Sequence, residues 1–321
     1  MAREQPMVGA APLPVDTGPS LAASRAWLSR QLAQQAVPRI VLILVCALFI
    51  LPFYWMVATA LKTREDLMAY PPVLWPSEFV WSNFRDAVEY IPFFQYLTNT
   101  AIITALTIIG SVISNPIIAY GFSRIDWPGR DKVFYVVLAT VFIPYPVLIV
   151  ALFDIFAKLP RPMLVDGSLT LGGNWINTYL PLVVPLFFGN AFWIFLMRQF
   201  LMQIPQDVSD AARIDGASEF RIFYQIVLPQ ALPAIGVISI FAGLHAWNDF
   251  IGPLIFLLDD TKYTLALGLT FFQSQRELQF SLLMAASTLV VLPVVALFLR
   301  FQRAFVEGIS LGSIKCREGD G

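Results

Sequence analysis

Six separate stretches of this chain are long and apolar enough to cross a lipid bilayer, and they constrain its fold more than any other feature. A bilayer core about 30 Å thick needs about 20 predominantly apolar residues in a helix, because every backbone polar group must be bonded within its own segment. The stretches comprise residues 39–61, 97–122, 133–156, 179–197, 231–258 and 280–299. The sequence therefore predicts an all-α membrane protein with six transmembrane helices.

The composition supports this prediction and excludes other classes of protein. Of the 321 residues, 57% are hydrophobic and only 13% are charged, whereas soluble domains are about 25% charged. The formal net charge of −1 provides no basic surface, so nucleic acid is not expected as a partner. Cys46 and Cys316 are far apart in the sequence, so neither a disulfide framework nor a cysteine metal site is expected.

The positive charges predict the orientation of the spans. With a cytoplasmic N-terminus, 14 of the 21 Lys and Arg residues fall in cytoplasmic segments and seven in outer loops. Cytoplasmic loops carry the excess of these residues, so both termini are predicted to face the cytoplasm. Residues 1–36 contain no cleavable signal peptide and are expected to form a flexible cytoplasmic tail. Residues 37–310 are then the predicted transmembrane domain, and residues 311–321 form a second cytoplasmic tail.

The segment between the fourth and fifth spans, residues 201–230, is referred to below as the signature loop. It is predicted to contain two short helices joined at Gly216, which can adopt the left-handed conformation that ends a helix. Val208, Ala211 and Ala212 give the first helix a face of small residues, on which another backbone can come close. The second helix is expected to have an apolar stripe and to stop at a proline, with the residues Phe220, Phe223, Tyr224, Val227 and Pro229. Two short helices with a face of small residues, joined at a tight turn, are well shaped to dock in a groove of a partner protein.

Several residues of the signature loop match the pattern of a known family in type and spacing. The spacing resembles the cytoplasmic-loop signature of ABC importer permeases, which is Glu-Ala-Ala, three residues, Gly, nine residues, Ile, one residue and Leu-Pro. The matching residues are Asp210, Ala211, Ala212, Gly216, Ile226, Leu228 and Pro229. Asp210 stands where the family usually has Glu, which keeps the charge and shortens the side chain by one methylene.

The resemblance extends from about residue 37 to residue 315 and indicates the carbohydrate-importer branch of this family. The supporting stretches are residues 99–100, 119–124, 128–130, 247–250 and 302–308, the last with Ala304 in place of the usual aromatic residue. The resemblance implies the type I ABC importer permease fold and a solute of the sugar, oligosaccharide or glycerol-phosphate type. It also implies that the loop around Gly216 docks into an ATPase subunit.

The resemblance further implies roles for single residues and a set of partners. The residues that would couple this chain to the ATPase are Asp210, Ala211, Ala212, Arg213, Asp215, Gly216, Ile226, Leu228 and Pro229. Asp210 and Arg213 are expected to contact the ATPase, and Gly216 to set the turn; without the resemblance, the charges would be interpreted as a solvated face. The implied partners are a homologous second permease, two ATPase subunits and an extracytoplasmic solute-binding protein. ATP and magnesium would be bound by the ATPases, and no cofactor by this chain.

Asn248 and Asp249 are notable because they lie within the fifth predicted span. An ionisable side chain in an apolar run is costly and usually faces the protein interior or a water-filled cavity. Both residues are therefore candidates for the translocation path; the alternative is that they connect the fifth span to its neighbours near the outer surface. His245 is the only histidine, so it is interpreted as a packing or hydrogen-bonding residue rather than a metal ligand.

Catalytic motifs are missing, which favours a transport subunit over an enzyme. None of the five lysines follows a glycine, so the chain has no P-loop for ATP hydrolysis. Two other functions have less support. A secondary transporter would be expected to show inverted repeats and interrupted helices near the midplane, and the sequence has no convincing internal repeat. An intramembrane enzyme would need at least two ionisable groups together, and the predicted spans offer only Asp154 and Asp249 as acidic residues. The sequence thus predicts a multi-pass permease of the cytoplasmic membrane.

Overall fold

The computed structural model describes residues 21–165, 168–273 and 279–310. Helices make up most of these residues, and their bounds in chain order are α1 (Leu21–Ala60), α2 (Arg64–Met68), α3 (Ser82–Tyr90), α4 (Phe93–Ser123), α5 (Arg130–Ala139), α6 (Tyr145–Lys158), α7 (Leu180–Val183), α8 (Ala191–Leu201), α9 (Gln206–Ile214), α10 (Glu219–Arg221), α11 (Leu228–Gln230), α12 (Leu232–Trp247), α13 (Ile251–Phe256), α14 (Leu265–Gly268) and α15 (Phe280–Ser310). Short 3-10 segments occur at Thr140–Phe142, Val184–Phe188, Asp260–Lys262 and Leu269–Gln273, and a π-helix at Ile222–Val227. The predicted all-α class is confirmed.

Among the described residues, four helical stretches have the length and composition of membrane spans. They are Gln35–Ala60, Phe93–Ser123, Leu180–Leu201 and Phe280–Arg300. Two further candidates are bent helix pairs: Arg130–Phe142 meets Tyr145–Lys158 at 102°, and Glu219–Gln230 meets Leu232–Trp247 at 76°. Counting each bent pair as one span gives up to six spans by length and composition, the number that the sequence predicts. In the second pair, Leu232–Trp247 lies in the predicted fifth span, whereas Glu219–Gln230 belongs to the signature loop.

Three predicted spans differ from single helices, and proline explains the first of them. Pro144 lacks a backbone N–H and disfavours the helical conformation in the residue before it. Ile143 is accordingly extended, with φ −82° and ψ 115°, and the stretch 133–156 is divided there. The stretch 179–197 is interrupted at Gly189 and Asn190, just before α8. The stretch 231–258 is divided as well, because α12 ends at Trp247 and α13 begins at Ile251.

The chain divides into two units, Met1–Trp55 and Met56–Gly321. The described residues of the first unit belong to α1, which begins at Leu21. The flexible tail predicted for residues 1–36 is therefore helical in its described part. Residues 1–20 and the predicted tail at residues 311–321 lie outside the described residues.

In the second unit, α4 packs against both α8 and α12. Its buried face carries small and polar residues, among them Gly110, Ser111, Ser114 and Asn115. Helices in lipid associate through close packing of small residues and interhelical hydrogen bonds, because lipid removes the hydrophobic driving force between them. Asn115 provides such a bond, since its Oδ1 accepts from the backbone N–H of Asn190, the N-cap of α8, at 2.9 Å. Helix α4 is thus positioned for close contact with α8 and α12.

The segment between α6 and α7 forms an antiparallel hairpin of β1 (Arg161–Val165) and β2 (Ser168–Gly172). Trp175, just after the hairpin, stacks on Phe156 of α6 with ring centroids 5.5 Å apart. Its Nε1 donates to the carbonyl of Pro160 at 3.0 Å. The base of the hairpin is therefore fixed to the end of α6.

Candidate functional site

The first helix that lies wholly within the signature loop is α9, which is followed by a turn at Gly216. Gly216 has φ +79°, the left-handed conformation predicted for it. Its N–H donates to the carbonyl of Arg213 at 3.0 Å, and the N–H of Ala217 donates to the carbonyl of Ala212 at 2.9 Å. These two bonds form a Schellman motif, which satisfies carbonyls at the helix end and fixes the direction of the chain that follows.

One side of α9 is exposed and the opposite side is buried. Ala211 and Val208 are exposed, and Ile214 is 87% exposed. Exposure of an apolar side chain to water is unfavourable, so burial of Ile214 against a partner would be stabilising. Ser209 on the other side is fully buried. The helix therefore presents Val208, Ala211 and Ile214 outward, whereas Ala212, predicted for the same face of small residues, is half-buried and packs against the core.

The charged residues of α9 pair with one another and with the start of α10. Arg213 Nη1 donates to Asp210 Oδ1 at 2.6 Å, and Arg213 Nε donates to Glu219 Oε1 at 2.7 Å. The bond to Glu219 raises the pKa of Arg213, so this residue stays charged at neutral pH. Asp210 and Arg213 are half-exposed, and such pairs contribute at most about 1 kcal/mol to stability. Their main effect is to hold the two arms of the loop on either side of Gly216.

Arg124, the residue after α4, holds the N-terminal arm of the loop. Its Nη2 donates to the carbonyls of Leu201 and Ile204, and its Nη1 to Gln206 Oε1, each at 2.6 Å. The side chain belongs to a residue that is only 4% exposed. Burial lowers the pKa of Arg124, because the guanidinium has little contact with water.

Tyr120, one turn earlier on α4, contacts the C-terminal arm of the loop. Its hydroxyl donates to Glu219 Oε2 at 2.7 Å. Its ring also meets Phe223 edge to face, with centroids 5.0 Å apart. Glu219 thus accepts from both Arg213 and Tyr120, which connects the loop to α4 on this side of Gly216 as well.

The second arm of the loop differs from its predicted structure. Ile222 and Val227 are fully buried, whereas Phe220 and Tyr224 are 76% and 61% exposed. The predicted apolar stripe assumed a period of 3.6 residues, but residues 222–227 form a π-helix, whose i to i+5 bonding brings Ile222 and Val227 to one face. Pro229 lies within α11 and does not end the arm.

The last matched positions of the signature have different environments. Ile226 and Leu228 are half-buried, and Pro229 is exposed. Asp215 is also exposed, at the cap of α9. The residues from Asp210 to Gly216 therefore form one element that is exposed except at the half-buried Ala212 and Arg213. Ile226 and Leu228 belong to the packed base of the loop.

Asn248 and Asp249 occupy the break between α12 and α13. Asn248 is exposed, and its Nδ2 donates to the carbonyl of Leu244 at 2.8 Å. Asp249 is half-buried, and its Oδ1 accepts from the N–H of Gly252 at 3.1 Å. Both bonds are local to this segment. Helix α13, which follows this break, contacts α6, the second half of the other bent span.

Neither a metal centre nor a hydrolase site is evident in the described part of the chain. No group of three His, Cys, Asp or Glu side chains among the described residues is arranged to hold a metal ion. Gly308, Ser310 and Gly312 match the spacing Gly-x-Ser-x-Gly, which in hydrolases places the serine on a strand-to-helix turn. Ser310 instead is the last residue of the long helix α15.

A bundle of apolar spans with an exposed, internally fixed loop is typical of a membrane transport subunit that binds a partner through that loop. A family model described as the inner membrane component of binding-protein-dependent transport systems matches residues 117–311. The chain belongs to this family. It is a transport component and not a catalytic enzyme.

Curated relatives and solved structures agree with this assignment. The arabinooligosaccharides transport system permease protein of Halalkalibacterium halodurans is 30% identical over 255 residues, 79% of this chain and 85% of the relative. The diacetylchitobiose uptake system permease protein of Streptomyces coelicolor is 29% identical over 294 residues, 91% of this chain and 93% of the relative. A bacterial ABC transporter involved in import of the acidic polysaccharide alginate has the same fold, with a TM-score of 0.69 at 18% identity, covering 85% of this chain and 96% of that chain.

The predicted permease family, type I fold and function as an importer permease subunit are confirmed. The roles predicted for single residues of the signature loop stay predictions. Sequence reasoning did not identify Tyr120, Arg124, Gln206 and Glu219 as site residues. The available signal was the stretch 119–124, which supported the family resemblance without revealing what its side chains contact.

Proposed function

We propose that this chain is the transmembrane permease subunit of an ATP-binding-cassette importer for a carbohydrate-type solute. The observation that carries this proposal is α9, an exposed helix that keeps the family spacing from Asp210 to Gly216 and is joined to the end of α4 by the hydrogen bond from Arg124 to Gln206. The names of two relatives refer to arabinooligosaccharides and diacetylchitobiose, and that of the similar structure to alginate. These names support a sugar or oligosaccharide as the solute.

The partners in this proposal are a homologous second permease, two ATPase subunits and an extracytoplasmic solute-binding protein. A solved alginate ABC transporter in complex with its ligand-bound periplasmic protein, with a TM-score of 0.55 to this chain, supports the last of these. ATP and magnesium would be bound and used by the ATPases, and this chain would hold no cofactor. Lys and Arg residues are in excess near the signature loop, the N-terminus and the C-terminus. This excess supports a cytoplasmic location for the loop and for both termini.

In the proposed mechanism, α9 docks in a groove of the ATPase. The small exposed side chain of Ala211 allows the close approach of another backbone, and the exposed Ile214 loses its contact with water on docking. Asp210 and Arg213 would exchange part of their mutual pairing for charges on the ATPase. Closure of the ATPases on ATP would then move α9 and reorient the spans between inward-facing and outward-facing states.

Docking through α9 can be tested by cross-linking from its two sides. In a chain with Cys46 and Cys316 replaced by serine, Ala211→Cys is compared with Ser209→Cys, each labelled with a photoactivatable maleimide. Position 211 is exposed and position 209 is fully buried, so the co-purifying ATPase should be cross-linked from position 211 only. Equal cross-linking from both positions, or none from position 211 in an intact complex, would contradict the proposal.

Asn248 and Asp249 are proposed to line the translocation path. Asp249 lies in the break before α13, which contacts α6 of another interrupted span, and such breaks let backbone and side-chain polar groups face a cavity. Solute uptake into proteoliposomes should fall for Asp249→Asn, while the ATPase still co-purifies. Asp154→Asn is the matched control, because Asp154 is exposed and forms an ion pair with Lys158 one turn away. Equal uptake by the two variants would show that Asp249 does not line the translocation path. Uptake driven by an ion gradient without ATP would contradict the proposed function as an ATP-driven importer.

A further inference from the structure

One arginine at the end of α4 contacts three consecutive parts of the polypeptide. Leu201 is the last residue of α8, Ile204 lies in the link that follows, and Gln206 is the first residue of α9. Arg124 donates to all three at 2.6 Å. The backbone N–H of Arg124 also donates to the carbonyl of Tyr120 at 2.9 Å, so the guanidinium projects directly from the last turn of α4.

The environment of Arg124 is unusual for a charged residue. It is 4% exposed, and all three acceptors are neutral oxygens. A buried charge is expensive unless several hydrogen bonds satisfy it, and those bonds are strong because the donor is charged. A guanidinium can serve three acceptors at once in a fixed geometry, which an ammonium group on a flexible stem cannot do. The arrangement therefore gives a defined position of α9 relative to α4.

The other arm of the signature loop is fixed to the same turn of α4. Tyr120 donates to Glu219 at 2.7 Å and packs against Phe223. Arg124 and Tyr120 thus hold the loop before and after Gly216. Any displacement of α9 must move the end of α4 or break these contacts.

The end of α4 is also joined to α8 and α5 by a second arginine. Arg198 Nε donates to the carbonyl of Phe122 at 3.0 Å, and its Nη2 donates to Asp131 Oδ1 at 3.1 Å. Its guanidinium lies 4.2 Å from the centre of the Phe134 ring. Three spans therefore meet at one rigid junction next to α9.

We propose that Arg124 and Tyr120 form the mechanical link that passes the movement of the signature loop into α4 and the bundle packed on it. This inference rests on the proposed coupling function of α9. Both residues are positioning residues, since they act through α9 and contact neither solute nor ATP. Without the link, the ATPase would still dock and hydrolyse ATP, but its closure would move α9 alone.

The test measures solute transported per ATP hydrolysed in proteoliposomes that contain all subunits. Arg124→Gln should lower this ratio by about tenfold or more, the scale expected for loss of one charge-assisted hydrogen bond. Tyr120→Phe keeps the ring and loses only the bond to Glu219, so a smaller reduction, about two- to fivefold, is expected. Arg124→Lys keeps the charge but should lower the transport ratio about as much as Arg124→Gln. Its single ammonium nitrogen cannot take the positions of both guanidinium nitrogens that donate to the loop.

Arg85→Gln is the matched control. Arg85 lies in α3 and is exposed, and its ion pair with Glu89 stays within one turn of that helix, so its loss should leave the transport ratio unchanged. The conservative variants Arg124→Lys and Tyr120→Phe keep the test decisive if Arg124→Gln fails to insert.

The outcomes separate the link from the function on which it rests. If the wild type shows no ATP-dependent uptake, the proposed function is wrong. If the wild type transports and the variants at positions 124 and 120 keep the wild-type ratio, only the link is wrong. A reduced ratio with wild-type ATPase co-purification and ATP hydrolysis supports the link, because a merely structural role would lower the amount of complex and leave its ratio unchanged.

Discussion

Substitution of Gly216 tests the coupling role with little interference from side-chain packing. A Cβ atom at this position meets no atom within 4 Å, so a substitution there creates no clash with the rest of the chain. The cost comes from the backbone, because φ is +79° and an L-residue in this conformation loses about 1–2 kcal/mol. Asn tolerates the left-handed region better than Ala, so Gly216→Asn should cost less than Gly216→Ala.

Gly216→Pro is a stronger perturbation for two reasons. The ring fixes φ near −65°, which is incompatible with the observed conformation. It also removes the N–H that donates to Arg213 at 3.0 Å. Asp215, with φ −74° and ψ 3°, would in addition precede a proline in a disfavoured conformation. The turn cannot form, so Glu219 would leave its position beside Arg213.

The assay is ATP-dependent solute uptake in vesicles that contain the full set of subunits, together with the rate of ATP hydrolysis. A cost of 1–2 kcal/mol corresponds to a factor of about 5–30 in a conformational equilibrium. Transport by Gly216→Ala should therefore fall by up to about that factor, transport by Gly216→Asn by less, and Gly216→Pro should not transport. Full uptake by a correctly inserted Gly216→Pro protein would refute the coupling role of this turn.

Two further predictions concern the packing of α4. Gly110→Ala places a Cβ atom 2.6 Å from the Phe187 ring and should cost about 1–3 kcal/mol of stability, whereas Gly121→Ala on the same helix meets nothing within 4 Å; equal thermal unfolding midpoints in detergent would contradict this. Asn99→Leu removes hydrogen bonds of 2.9 and 3.0 Å to the carbonyls of Thr261 and Tyr263. The Thr261 carbonyl keeps the bond from Gln95 Nε2 at 2.8 Å, so the expected cost of about 1–3 kcal/mol comes from the Tyr263 carbonyl. Hydrogen exchange in that segment should become faster, and unchanged protection would show that the bonds are dispensable.

The sequence by itself determined the class of this protein. The length of an apolar run is fixed by the thickness of a bilayer, so six spans could be counted without knowledge of their contacts. The signature from Asp210 to Pro229 depends on local spacing, and the left-handed conformation of Gly216 follows from how helices end. These features involve residues that are near one another in the chain, which makes them visible in a single sequence.

Only the tertiary structure decided how the spans are shaped. Prolines occur in several predicted spans, yet α4 and α15 continue through Pro116 and Pro293, whereas the chain bends by 102° next to Pro144. The π-helix in the signature loop likewise changed which apolar residues are buried, and a period of 3.6 residues could not predict it. Whether a proline bends a helix depends on what its neighbours allow.

The contacts that hold the signature loop in place could not be predicted from the sequence either. Arg124 is 82 residues from Gln206 in the chain, and Tyr120 is 99 residues from Glu219. Periodicity describes one helix at a time and carries no information about which side chain of a distant helix lies opposite. Those pairings are set by the packing of α4 against α8 and α12, and only the folded bundle brings their atoms within hydrogen-bonding distance.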